Sequence, residues 1–357
     1  MKSGKIRLLV LVIIAVIIRV ISMNADWVET YYSNGVYPHI VRFQRMLLGW
    51  VPFSVGDLFY GWAVIWLIIQ TVKFIRRLAR RNAGRDYLLG VGRRFLSGVL
   101  LIYISFNLLW GLNYNRRGIQ NALKLNISDY TRNDLIEVTS RLAEKLDSLQ
   151  AYSLLNRGNL QRKKWLFQGT VSAYKHLSMK NELFVYEYPS VKPSIYSYLG
   201  NYLGFTGYYN PFSGEAQVNT TVPLFIRPFT SCHEIGHQLG YAKESEANFA
   251  GYLSASSSED PSFLYSVYFD MFAYSSRYLY MEDSVTLKNI RDGLSPGVRS
   301  DIRELREFAI RYSTPLETAI DRIYSQYLKA NQQPSGRMSY NEVVALLIAY
   351  YRKYGKL

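Results

Sequence analysis

Three long apolar runs fall within the first 115 residues, and they limit the possible folds more than any other feature. Lipid offers no partners to backbone N–H and C=O groups, so a run that crosses a bilayer must be helical. Ile6 to Met23 is 18 residues of almost unbroken Ile, Leu and Val, interrupted by Arg19 near one end. Lys2, Lys5 and Arg7 accompany it, and Ile18-Arg-Val-Ile-Ser-Met offers a poor cleavage site. The run therefore reads as an uncleaved spanning helix, with Arg19 snorkelling to the interface. Phe95 to Asn115 holds 21 uncharged residues, enough to cross a hydrocarbon layer of about 30 Å. Leu58 to Val72 is shorter, 15 uncharged residues that extend towards Val51 only across Asp57. Read as a span it completes a set of three, about 6–23, 54–72 and 95–115. Read as a buried core helix it would invert the topology.

Charge sets the orientation. The chain carries a net +15, but residues 1–115 hold 14 Lys and Arg against 4 acids, and the remainder 28 against 23. Two thirds of the excess thus sits beside the apolar runs, so a nucleic-acid-binding face is not needed to explain it. Lys73 to Arg94 carries eight bases and one acid, Asp86, whereas Asn24 to Asp57 carries Arg42 and Arg45 against Asp26, Glu29 and Asp57. Bases favour the cytoplasmic side, which places the N-terminus and the second loop inside the cell. Three crossings then put residues 116–357 outside the cytoplasmic membrane. Trp27, Tyr31, Tyr32 and Tyr37 suit an interfacial aromatic belt. His39, in the same loop, reads as a surface or packed residue. The lone Cys232 excludes an internal disulfide framework.

The chemistry lies in the outer part. His233-Glu-Ile-Gly-His237 is an HExxH pattern. Residues four apart on a helix share a face, so both imidazoles can reach one ion. Glu234 lies about 100° round the helix from His233, close enough to meet a water held there. Zinc suits this set: three nitrogen and oxygen ligands, and a fourth position left for water. A closed structural zinc site would need more Cys and His. Cys232, pointing away from His233, reads instead as a packed residue. Gly240 is a plausible stop for the helix, and a second helix opens near Lys243 with two carboxylates, Glu244 and Glu246, as possible third ligands.

Around this motif the domain reads as α+β. Thr131-Arg-Asn-Asp134 forms a weak capping box, with Leu135, Val138, Leu142 and Leu146 at helical spacing. A helix is expected over Asn159–Met179, carrying His176 in a structural role. Strands are expected at Glu182–Tyr188, near Tyr202–Tyr209 and at Glu215–Thr220. Pro228 suits the first turn of the motif helix, with Thr230 or Ser231 close to its cap. Helices follow over Pro261–Asp283, Arg299–Tyr312, Pro315–Asn331 and Ser339–Tyr354. Tyr252 and Tyr340 are candidates for steadying an oxyanion.

Glu244-Ser-Glu-Ala-Asn248 resembles the second-helix E-x-x-A-N pattern of the gluzincin branch of zinc metallopeptidases. By that resemblance Glu244 is the third ligand and Asn248 supports a ligand histidine; Glu246 is the competitor, because a two-residue shift in the loop would present it instead. The resemblance implies a mainly α, zincin-like domain with a small sheet behind three transmembrane helices. In that plan the last strand before the motif helix, here within Gly214–Asn219, pairs with extended substrate. The seven-residue step from His237 to Glu244 is short for membrane gluzincins. Over nearly its full length the chain also resembles a family of uncharacterised bacterial membrane proteins. It shares with them Pro52-Phe-Ser-Val-Gly-Asp57, Asn210-Pro-Phe-Ser-Gly-Glu-Ala-Gln-Val-Asn219 and the motif itself. The expectation is a membrane-anchored zinc metallopeptidase that acts on peptides or proteins outside the cytoplasmic membrane, with Glu234 as general base. The same residues would serve a structural or sensory zinc site, or a zinc amidase acting on a cell-wall component.

Overall fold

The computed structural model describes residues 2–127, 130–331 and 340–357. Helix α1 (Lys2–Ser22) gives way to α2 (Ala25–Trp27), whose N-terminus Asn24 caps, then to a π-helical stretch over Val28–Val36 and α3 (Tyr37–Leu48). The path bends by 94° between Gly4–Ile21 and Ala25–Leu48. Helices α4 (Val55–Ala79) and α5 (Arg85–Leu109) follow. Both are long and apolar enough to cross a membrane, and the bent pair makes a third if it counts as one span. α1 packs along α5, whereas α4 stands nearly alone.

The segment between the first and second apolar runs is helical rather than a loop. Trp27 and Tyr31 remain exposed, as an interfacial belt requires, but Tyr32 and Tyr37 are buried. They turn inward because later elements offer their hydroxyls carbonyl partners: Tyr32 donates to Asn107 O of α5 (3.2 Å) and Tyr37 to Gln238 O in the domain beyond it (2.8 Å). His39 lies on the surface.

Beyond α5 the chain is mainly helical: α6 (Ile119–Ala122), α7 (Arg132–Asn156), α8 (Lys163–Ser178), α9 (Ser197–Leu203), α10 (Arg227–Gln238), α11 (Glu244–Ala255), α12 (Pro261–Glu282), α13 (Ser284–Gly293), α14 (Pro296–Tyr312), α15 (Pro315–Ala330) and α16 (Tyr340–Tyr354). The Thr131–Asp134 capping box opens α7, and Leu135, Val138, Leu142 and Leu146 are fully buried in the core that α7 shares with α12. Three short strands, β1 (Val191–Pro193), β2 (Gly207–Asn210) and β3 (Glu215–Val218), form one mixed sheet in the order β1-β3-β2. β1 runs parallel to β3 with Val191 opposite Ala216, and β2 antiparallel with Gly207 opposite Val218.

Two sequence-based expectations fail here for identifiable reasons. Glu182–Tyr188 is not a strand. Asn181 accepts a hydrogen bond from Leu183 N (3.0 Å) and starts a 3-10 turn that drops Phe184 into the core. The strand within Gly214–Asn219 exists, but as β3 it is central, with both edges paired, so it has no free backbone for a substrate.

Pro52–Asp57 and Asn210–Asn219 prove to be two halves of one joint. Glu215 on β3 is completely buried and receives Gly56 N (2.6 Å), Val55 N (3.2 Å) and Lys192 Nζ (2.5 Å). A carboxylate at a helix N-terminus satisfies unpaired N–H groups and complements the dipole. Ser54 caps the same turn through Asp57 N (3.0 Å), and Asp57 in turn accepts from Ile195 N (2.7 Å) and the hydroxyl of Tyr208. Gly56 is needed because a Cβ would meet Asn210 Nδ2 at 2.4 Å. The sheet thus grips the Ser54 end of α4, leaving its basic end, Arg76 and Arg77, about 34 Å away at 1.5 Å per residue.

Candidate metal centre

Helix α10 carries the HExxH pattern. Pro228 sits in its first turn, and Thr230 and Ser231, rather than capping, donate back to Ile226 O (3.1 Å) and Arg227 O (2.8 Å). Phe229, Cys232 and Ile235 are buried in the core. His233 and His237, one turn apart on another face, set their ring centroids 4.7 Å apart, nearly perpendicular. The helix stops at Leu239 because Gly240 takes φ +86°, where a Cβ would also press on the Tyr37 ring at 3.0 Å.

The short step to α11 closes through glycine. A Cβ on Gly236 would meet Ala247 O at 3.1 Å, and one on Gly251 would meet His233 N at 3.0 Å. Contact this close between two helices needs small residues, and it brings the start of α11 beside the imidazoles. Glu244 Oε2 lies 3.4 Å from His233 Nε2, and Oε1 lies 3.7 Å from His237 Nε2. Glu246 turns the other way. It is buried 3.8 Å from Lys243 Nζ and packs onto Gly118, where a Cβ would overlap its carboxylate.

The surroundings prepare each group. His237 Nδ1 bonds Tyr241 O (2.8 Å), which fixes the tautomer and leaves Nε2 free for an ion. Among the described residues His233 Nδ1 makes no hydrogen bond of good geometry, although the Asn248 side chain stands close enough to the ring to raise its proton affinity. The Asp270 carboxyl, which lines the same cavity, has no partner at Oδ2 among the described residues and is pushed up to about 8 by burial, which the His233 charge only partly offsets. Asn248, one turn after Glu244, accepts from Tyr274 Oη (3.3 Å) and lines the same cavity. Burial holds the His237 imidazole down to about 4. Burial also pulls on His233, but Glu244 and Glu234 outweigh it and lift the ring to about 9. Glu244 resists burial and is held down to about 2 by the two imidazoles and by Tyr324, whose hydroxyl donates to Oε1 (2.6 Å). Glu234, only 3% exposed, has Oε2 unpartnered and is raised by burial to about 8. Its donor oxygen lies within 4.8 Å of those of both histidines. Gly207 on β2 makes room for it, since a Cβ there would stand 2.5 Å from Oε1.

These residues fit zinc. Donors around a tetrahedral ion with bonds of about 2.0–2.2 Å stand roughly 3.3–3.6 Å apart, and the imidazoles here stand near that spacing from Glu244, one from each carboxylate oxygen, at 3.4 and 3.7 Å.

Several residues that hold the site gave no sequence signal. Trp110 Nε1 donates to His237 O (3.0 Å), Tyr37 to Gln238 O (2.8 Å) and Arg116 Nη1 to Gly240 O (3.3 Å). All three satisfy carbonyls that the end of α10 leaves open, and all come from the N-terminal third of the chain. Of the tyrosines considered for an oxyanion, Tyr252 is buried in the core beside Phe249 and Tyr350. The Tyr340 side chain lies outside the described residues. Tyr324 on α15 instead reaches the cluster, donating to Glu244. His176 lies on α8, away from the cluster.

The site opens into a cavity of about 1050 Å³, lined by β2, α10, α11 and α15 and by residues of α4 and α5. No curated protein and no solved structure matches the chain. Its sequence pattern over residues 32–348 matches that of a family described as a protein of unknown function, DUF3810, and the chain belongs to that family.

Proposed function

We propose that the chain is a membrane-anchored zinc metallopeptidase with a zincin-like domain, hydrolysing peptide bonds outside the cytoplasmic membrane. The observation that carries this reading is the Glu244 carboxylate set 3.4 and 3.7 Å from the two Nε2 atoms, with Glu234 buried beside them. His233, His237 and Glu244 would hold the ion. Three such ligands leave one position open, which a structural site would close. Zinc held there would supply Lewis-acid activation of water and of a carbonyl. Glu234 takes the proton from the attacking water and returns it to the leaving nitrogen, a role suited to a carboxylate whose burial raises its proton affinity. Tyr324 stands where a hydroxyl can donate to developing negative charge once its bond to Glu244 is exchanged.

The N-terminus and the basic segment 73–94 are assigned to the cytoplasm and the domain to the outside. The joint at Glu215 supports this, because it fixes the domain to the end of α4 opposite the arginines.

The test is metal content of the detergent-purified protein, then the cleavage products it makes. About one zinc per chain is expected, lost in His237→Ala and kept in Glu234→Gln. Newly formed N-termini in the membrane proteome should appear with the wild type and vanish with Glu234→Gln. No zinc after supplementation, or unchanged N-termini with Glu234→Gln, would overturn the reading.

A further inference from the structure

The cavity at the metal cluster does not stop at the domain. Tyr60, Gly61, Val64 and Ile65 of α4 line it, as do Phe106 of α5 and Trp110, which follows the end of that helix. Ile65 lies ten residues beyond Val55, about 15 Å along the helix, which is half of a hydrocarbon layer of about 30 Å. Beside these residues α4 and α5 share few close contacts. They make contact at the far end, where the Phe74 and Tyr87 rings stand 6.4 Å apart and Arg77 lies over Tyr87 at 4.2 Å. Val64 and Ile65 are 55% and 60% exposed, although they line the cavity. The gap between α4 and α5 therefore faces lipid on one side and the metal cluster on the other.

Building on the peptidase reading, we propose that the substrate is an acylated peptide whose hydrocarbon chain enters sideways from the outer leaflet between α4 and α5, placing the adjoining peptide bond at Glu234. The wall chemistry selects this occupant. Among the described residues, the only ionisable acids, bases or histidines lining the cavity are His233, Glu234, His237, Glu244 and Asp270. No Lys or Arg lines it, so outside the metal cluster a phospholipid headgroup meets no basic side chain to pair with its phosphate. A polypeptide in the apolar part would have to stay helical or leave backbone groups unpaired, at several kcal/mol each. A zinc peptidase, by contrast, needs extended backbone at the scissile bond. A hydrocarbon chain has no polar groups to satisfy. Above it, the free edge of β2 beside Glu234 can receive the extended peptide. Hydrolysis then adds water across the amide. The C–O bond forms, the C–N bond breaks, and the proton taken by Glu234 passes to the leaving nitrogen.

The test is photo-crosslinking in proteoliposomes of phosphatidylethanolamine and phosphatidylglycerol. The probe is an N-palmitoyl hexapeptide carrying a diazirine on the acyl chain. Crosslinks are expected on residues 60–65 and in α5 or α15 near the cavity. They should be competed by unlabelled N-palmitoyl peptide and reduced at least fivefold in Ile65→Trp, with the zinc content of that variant unchanged. Equal competition by the unacylated peptide, or equal labelling by a diazirine phospholipid at the same residues, would overturn the proposal. Labelling does not require turnover, so loss of zinc or of Glu234 dependence would sink the peptidase reading separately. Absence of acyl crosslinks in a zinc-loaded, cleaving protein would sink only the lateral route.

Discussion

Gly251 lies bare against the backbone of His233, where a Cβ would come within 3.0 Å of its nitrogen and 3.1 Å of its Cα. Because the atoms on both sides are backbone, neither can swing away. Gly251→Ala should therefore push α11 off α10 and carry Glu244 out of reach of the imidazoles. Overpacking of this kind costs about 1–3 kcal/mol. The expected outcome is a lower thermal midpoint and a zinc affinity reduced tenfold or more, measured by competition with a chromophoric chelator. A variant with wild-type affinity would show that the ligand geometry does not depend on this contact.

The joint between sheet and membrane helix makes a second prediction. Lys192 and Glu215 are buried partners at 2.5 Å, and Glu215 also caps α4. Removing one member of a buried pair costs about 3–5 kcal/mol, because the other is left uncompensated. Glu215→Ala should lose about that much and speed amide exchange at Val55 and Gly56. Lys192→Met combined with Glu215→Gln, which leaves no lone charge, should recover much of the loss. Equal stability of the single and double variants in denaturant would argue against the ion pair as the cause.

Much of this was legible in the sequence because it is local. The HExxH spacing, the glycine stop at Gly240 and the opening of α11 at Lys243 follow from helix periodicity and capping within a few residues. The preference for Glu244 over Glu246 came from resemblance to a pattern. In the structure it rests on Gly118, whose missing side chain makes room for Glu246 far from the imidazoles. What escaped was non-local. Tyr37 and Gln238 are 201 residues apart, and nothing near either one announces the contact. β1 escaped because three residues make a strand only by pairing with β3, not by propensity.

Asp270 lines the same cavity as His233 and feels its charge, and its Oδ2 has no hydrogen-bond partner among the described residues. A carboxylate behind a ligand histidine orients the ring and raises its basicity, and its loss typically weakens metal binding about 10–100-fold. Asp270→Asn should follow this, with the fold intact by circular dichroism and the zinc dissociation constant raised within that range. Unchanged affinity would mean that Asp270 does not act through His233.

Tyr324 distinguishes a catalytic centre from a merely structural one. Its hydroxyl donates to Glu244 Oε1 at 2.6 Å, and its ring lines the cavity above Glu234. Removing a hydroxyl that serves only to position Glu244 should lower zinc affinity and leave the turnover of zinc-loaded protein alone. Removing one that also donates to an oxyanion should leave zinc in place and lower turnover about 10²–10³-fold. The expected result for Tyr324→Phe is the second: about one zinc per chain, with Glu234-dependent N-termini appearing at least a hundredfold more slowly. Loss of zinc with turnover preserved on reloading would return Tyr324 to a positioning role and leave the oxyanion donor to be sought elsewhere on the cavity wall, where Tyr274 is the next hydroxyl to test.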